Sequence, residues 1–307
     1  MKCWMTNRWM TNRWMTVGAL AALLTFPPAL LIGPACADDV PAQIQALVAK
    51  QSQAIVTVKA VLKMNTKGGG TSQSSESRAE MQGVVVDSSG LVMVSSISFS
   101  PEKMMEMMGM PKEVAVGSPK ITPTDFKVIF EREEKEYPAF LAATDTTLGL
   151  TFVQITDLAG RTLTPVMFAD TPAPALGNSV FALSRLSKGY DYAPFYESAR
   201  VSGAIAKPRA ALMLDGGISE VGLPIFTLSG APIGVLTSIA SGVSSSESNE
   251  GMSMRMMMRL FGGGGGGNRP GLFVVPSSVV SPVIAQAKTR AAEIAAQRAK
   301  TPPAPAK

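Results

Sequence analysis

The residues whose types and spacing suggest chemistry are the methionines. The chain has 307 residues and 19 Met. Ten of these fall in two short runs. Lys103 to Met110 (KMMEMMGM) holds Met104, Met105, Met107, Met108 and Met110, and Met252 to Met258 (MSMRMMM) holds Met252, Met254, Met256, Met257 and Met258. Thioether sulfur is a soft donor that selects Cu(I), and such sites take MxM or MMxMM spacing. The same flexible, polarisable side chains also make an adaptable apolar surface for a peptide or protein partner. The blandest reading is amphipathic turns that cover a core. Packing ranks first, partner binding second and Cu(I) third, because Met without His is a thin metal signature. The candidate binding residues are Met104, Met105, Met107, Met108, Met252, Met254 and Met256. No metal site and no cofactor is assigned.

Most other side-chain chemistry is excluded. There is no His, so the usual proton shuttle near neutral pH is missing. A Ser-His-Asp triad, a Cys-His dyad and any His-containing zinc site go with it. Cys3 and Cys36 both precede residue 38, which leaves the rest of the chain without a disulfide or a thiol nucleophile. A Ser-Lys dyad needs a desolvated Lys beside a Ser. Ser184, Ser219, Ser229 and Lys188 are of the right types, but their spacing selects no pair, and the expected reading is hydroxyls in turns and a solvated lysine. The run Glu131 to Glu136 (EREEKE) reads as a solvated hairpin turn.

Residues 1–37 have the form of a signal peptide. Lys2, Arg8 and Arg13 precede an apolar run from Val17 to Ile32, then Ala35-Cys36-Ala37 gives a small-x-small site. Cleavage is expected after Ala37, with export to the periplasm or beyond. Membrane association is expected only through this leader or through a lipid on Cys36, and Gly33 stands where a lipoprotein signal has a Leu-like residue. Without the leader the charge falls from 28 − 23 = +5 to 25 − 23 = +2. A near-neutral chain with no clustered basic face argues against a nucleic-acid partner.

The elements that must carry these residues are mostly strands. An amphipathic helix is expected over Asp38 to Lys50, with 38–50 as an N-terminal arm, followed by a strand over Ala54 to Met64. Asn65 to Arg78 reads as a Gly/Ser/Thr loop. Further strands are expected at Gly83 to Asp87, Leu91 to Ser95, Phe126 to Phe130, Ala139 to Ala143, Gly149 to Thr156, Ser179 to Leu186, Ala199 to Ala206, Ala210 to Leu214, Leu223 to Phe226, Ala231 to Ile239 and Gly271 to Val275. About a dozen short strands punctuated by Gly, Pro, Ser and Asp give an all-β class of barrel or sandwich type. Ser281 to Lys300 has helical spacing. Hexaglycine at Gly262 to Gly267 marks a surface loop, and residues 301–307 (TPPAPAK) end the helix in a disordered tail.

The order of these pieces resembles the trypsin-like peptidase domain in its HtrA form. Gly83 to Phe99 (GVVVDSSGLVMVSSISF) is similar to the strand-turn-strand of that family. Lys127 to Ile155, Leu176 to Ile205, Asp215 to Val235 and Gly271 to Val283 resemble its later segments in the same order, the likeness covering about residues 50 to 295. The resemblance implies a double six-stranded β-barrel with a C-terminal α-helix, residues 51–300 forming the peptidase domain. Enzymes of the HtrA form often append a PDZ domain, and none is expected here because the sequence runs only a few residues past the closing helix.

The same resemblance places the family's catalytic His at Ile97, its Asp at Gly149, its nucleophilic Ser at Val221 and an oxyanion-hole Gly at Ser219. Ile97, Gly149 and Val221 can neither move a proton nor attack a carbonyl. Gly222, Pro224 and Gly234 keep the family's structural residues, and Asp145 and Asp215 match positions that cap turns near the cleft. The expected function is therefore a pseudopeptidase that recognises a peptide or protein. The alternatives are a serine endopeptidase with a rearranged site and a Met-rich Cu(I) binder.

Overall fold

Alternation of apolar and polar side chains produces the first strand, β1 (Ile55–Gly68), and eleven more strands follow among the described residues. The structure, a computed structural model, describes residues 39–68, 71–100, 120–207, 209–238 and 272–300. Strands β1, β2 (Thr71–Asp87), β3 (Leu91–Ser95), β4 (Lys120–Phe130), β5 (Glu136–Asp145) and β6 (Leu150–Ile155) close into one barrel in the order β1-β2-β3-β6-β5-β4. Strands β7 (Ser179–Arg185), β8 (Pro194–Ile205), β9 (Ala211–Gly216), β10 (Pro224–Thr227), β11 (Pro232–Ser238) and β12 (Leu272–Pro276) close a second in the order β10-β11-β12-β9-β8-β7. Every ladder is antiparallel. The expected fold, two closed six-stranded barrels and a C-terminal helix, is the one found.

The two faces of β7 show how the barrels are joined. Val180 and Ala182 point into the second barrel with Val201, Ile225 and Leu236. Phe181 and Leu183 point the other way and pack in one cluster with first-barrel residues such as Val56, Phe152 and Val94. β10 and β12 split likewise, Ile225 and Val274 inward, Phe226 and Val275 toward the first barrel. Strands buried on both faces explain the near-continuous apolar runs VFAL and PIF.

Two helices lie across this arrangement. α1 (Val40–Gln51) is capped by Asp39, whose Oδ1 accepts from the Ala42 amide at 3.2 Å. It precedes the first barrel in the chain but rests on the second, where Gln51 Nε2 donates to the Gly230 carbonyl at 3.0 Å. α2 (Ser277–Lys300) follows the second barrel and is pinned there by Ser277 Oγ donating to the Pro232 carbonyl at 2.8 Å. It then runs over the first barrel, where Lys288 pairs with Asp87 at 2.7 Å and the Arg298 guanidinium lies 4.4 Å from the Phe140 ring centre. No helix among the described residues is long and apolar enough to cross a membrane.

Two expectations are corrected. Asn65 to Arg78 is not a loop. β1 and β2 pair without a break from Ile55↔Val84 to Gly68↔Thr71, and β4 extends alongside, with Asn65 opposite Lys120. Backbone pairing, not side-chain polarity, decides this stretch, since an antiparallel partner satisfies the N–H and C=O groups whatever the side chains. The final helix starts at Ser277, four residues before the expected Ser281, held by the hydroxyl just described. The leader and residues 301–307 lie outside the described residues.

Candidate functional site at the barrel junction

β3 ends in Ser95, whose backbone is met from two directions. From the same barrel, the β5–β6 turn is closed by the Leu148 amide donating to Asp145 Oδ1 at 2.7 Å, and it presents the Gly149 carbonyl to the Ser96 amide at 2.8 Å. Asp145 thus has the turn-capping role expected of it. From the second barrel, the turn at Val221 and Gly222 comes so close that a Cβ on Gly222 would stand 2.7 Å from the Ser95 nitrogen. Gly222 has φ +93°, a conformation that favours glycine. Buried Thr237 of β11 adds a direct bond, its hydroxyl donating to the Leu148 carbonyl at 2.6 Å. Ile97 follows in a single 3-10 turn, Ile97–Phe99, with its amide donating to Ser95 Oγ at 3.3 Å.

Ile97, Gly149 and Val221 therefore lie on three segments that meet at one place, and Ile97 and Val221 are each half-buried. Ser219 is exposed, and its amide donates to Glu197 Oε2 of β8 at 3.4 Å. Asp215 lies exposed on β9 opposite Arg200. The fold is trypsin-like. Sequence comparison adds no family: no family model matches, and no curated protein matches. Solved structures do match, among them one described as the crystal structure of Deg5. It is 20% identical, with a TM-score of 0.44, over 66% of this chain and 87% of that one.

Two groups at the trypsin-like junction escape the sequence reading. Arg185 ends β7 on the same face as Phe181 and Leu183 and is 5% exposed. Its Nε donates to the Ile55 carbonyl at 2.7 Å, Nη2 to the Ser52 carbonyl at 2.6 Å and Nη1 to the Tyr192 carbonyl at 3.1 Å. The guanidinium thus ties the second barrel to the start of the first. Burial lowers its pKa, but it begins high enough to stay charged. A lone Arg closing an apolar strand was the available signal.

The second group is Glu220, beside Val221. Its carboxylate accepts a hydrogen bond from the hydroxyl of Ser184, a side chain on the inner face of β7 and 2% exposed. Burial raises the Glu220 pKa, the bond to Ser184 opposes this, and the charge of Glu197 adds to the rise. A carboxyl held above its unfolded pKa stabilises the fold fully below the unfolded value, and that contribution is lost as pH rises through the folded one. Glu220→Gln keeps the shape without the charge. The expected result is a melting-temperature advantage of the variant over the parent that grows as pH is raised from about 4 toward neutrality. A constant difference across that range would show that Glu220 does not titrate against the fold.

Of the other hydroxyls, Ser229 bonds Thr227 at 2.8 Å in an exposed turn. Lys188 pairs with Glu134 at 3.2 Å and is exposed, so it is not the desolvated base a dyad needs. The Glu131 to Glu136 run forms the β4–β5 turn and the first residue of β5, and four of its members, Arg132, Glu133, Glu134 and Glu136, are ion-paired. Glu133 meets Arg161, Arg132 meets Asp191 at 3.4 Å, and Glu136 meets both Lys59 and Lys127 at 2.9 Å. Lys59, Lys127 and Glu136, with Arg78, Glu80 and Asp125, line a groove of about 440 Å³ on the first barrel. The mixed charges there largely satisfy one another. Both Met runs, including Met104, Met105, Met107, Met108, Met252, Met254 and Met256, and the glycines 262–267 lie outside the described residues.

Proposed function

We propose that this chain is an exported pseudopeptidase: a trypsin-like double barrel that binds an extended peptide or unfolded protein without cutting it. The observation that carries this reading is the chemistry of the junction. Peptide hydrolysis on this scaffold needs a nucleophile, a base that takes its proton and donors aimed at the developing oxyanion. Ile97, Gly149 and Val221 supply none of the first two, and the Ser219 amide is already engaged by the Glu197 carboxylate. Among the described residues Ser184 is the one hydroxyl at the junction that touches a carboxylate, but at 2% exposure it cannot meet a carbonyl carbon. Partner binding, export through residues 1–37 and the Met-rich rim belong to the same proposal.

One preparation tests both halves. Incubated with fluorescently labelled, unfolded casein and separately with a fluorophosphonate probe, the full chain is expected to retain casein intact and to take up no label. Casein fragments, or a labelled serine, would establish the rearranged endopeptidase instead. Failure to retain casein would remove the binding half.

A further inference from the structure

The β1–β2 hairpin projects beyond the barrel it starts from. β2 pairs with β3 only from Gly83 to Asp87. From Thr71 to Gln82 its outer edge has no strand partner among the described residues, while its inner edge pairs with β1 without a shift in register. Ser74 to Arg78 are exposed on both faces of the strand. An edge of this kind offers every second residue's N–H and C=O to another strand.

Edges are commonly guarded by proline, by a break in twist or by a bulge. The opposite edge of the same three-stranded projection is guarded in this way. β4 carries Pro123 there, Asp125 at φ 49°, and a register shift against β1 between Lys59 and Val61. β2 has none of these between Thr71 and Gln82. Its protection is charge alone, and the charges are arranged to suit one partner.

We propose that the outer edge of β2 pairs antiparallel with β2 of a second copy of this chain, about a two-fold axis at Ser77. Residues equidistant from that axis face each other, so Glu76 lies opposite the partner's Arg78, and Arg78 opposite the partner's Glu76. Ser74 meets Glu80, and Ser75 meets Ala79. Glu76 is already 3.2 Å from Lys63 of its own β1, so the joined sheet carries the row Lys63, Glu76 and the partner's Arg78, with alternating sign. Arg78 stands opposite Val61 on its own β1 and has no ion pair among the described residues, and the partner's Glu76 supplies one. Axes at Glu76 or Arg78 would set like charges against each other. An axis at Ala79 also pairs Arg78 with Glu80, but it draws in Gln82, which is committed across the barrels to the Arg185 carbonyl at 3.0 Å. The proposal is independent of whether the junction is catalytic.

The test is the association state of the full chain by sedimentation equilibrium from low to high micromolar concentration. A reversible dimer is expected. Arg78→Glu is expected to raise its dissociation constant about tenfold, since two attractive cross-strand pairs become two repulsive ones. The swap Glu76→Arg with Arg78→Glu, made together with Lys63→Glu so that the pair between positions 63 and 76 is kept with its signs reversed, is expected to return it to the parent value. Ser77→Cys is expected to give a disulfide-linked dimer mapped to position 77 on oxidation, because directly opposed antiparallel residues lie within disulfide range in either pair type. The parent, with its own Cys3 and Cys36, serves as the control. Melting temperatures of the charge variants equal to the parent's show that the hairpin itself is intact. A monomer at all concentrations, a dimer indifferent to Arg78→Glu, a swap that fails to restore, or no cross-link at position 77 would overturn the proposal.

Discussion

Replacing Arg185 with Met lowers the stability of the whole chain by several kcal/mol. Met keeps the apolar stem of Arg to about the depth of Nε but donates nothing, so the carbonyls of Ile55, Ser52 and Tyr192 lose their partner together. A buried polar group left unsatisfied costs about 1–3 kcal/mol. Three of them amount to roughly 3–9 kcal/mol, set against a total stability of about 5–15 kcal/mol for a native protein. The melting temperature should fall by roughly 10 °C or more. Arg185→Lys retains the charge, but one ammonium cannot reach three carbonyls spread over a planar fork, so it should recover less than half of the loss. Thermal unfolding of the parent and the two variants at one pH checks this. A Met variant within about 1 kcal/mol of the parent would mean that the three bonds contribute only what surface contacts do.

The second large effect is expected at Gly222, through sterics instead of hydrogen bonding. Gly222→Ala places a methyl group 2.7 Å from the Ser95 nitrogen and 2.9 Å from its Cβ, at a φ of +93°. The backbone conformation alone costs about 1–2 kcal/mol for an L residue. The clash adds about 1–3 kcal/mol of overpacking, because the obstacle is backbone and cannot rotate away. Gly160→Ala is the control: its φ is +79°, and nothing lies within 4 Å of the added atom. The excess of Gly222→Ala over Gly160→Ala isolates the approach of the two barrels. Hydrogen exchange localises it, since the Ser96 amide, bonded to Gly149, should lose protection in the first variant and keep it in the second. Equal losses in both would show that the junction has slack.

These two residues also show how far the sequence carries. All twelve strands have a counterpart in the periodicity of apolar residues, because strands that close a barrel are selected face by face. Ile97, Gly149 and Val221 were singled out from ordered motifs, and the segments bearing them do converge. What stayed hidden is what no single segment contains. Ser74 to Arg78 is polar enough to resemble a loop, and only the presence of β1 beside it makes it strand. Arg185 is one basic residue among apolar ones, and its three acceptors come from residues as far away as Ser52. Glu220 and Ser184 are 36 positions apart, and no local pattern links a carboxylate to a hydroxyl across that distance. Two-body arrangements between distant segments are the part that periodicity does not encode.

The crossing of the two helices bears on how the protein is made. Synthesis delivers α1 before any strand of the barrel it rests on, and delivers α2 only after both barrels have emerged. The first barrel can close from six consecutive strands while the ribosome is still at work, but Phe140 keeps its face open until Arg298 arrives at the far end of the chain. The second barrel has the reverse history, with its covering helix present from the start. The nascent chain thus carries an uncovered apolar patch through most of its elongation. The 24 residues of α2 act as a clasp that adds to the direct packing of the two barrels once synthesis is complete.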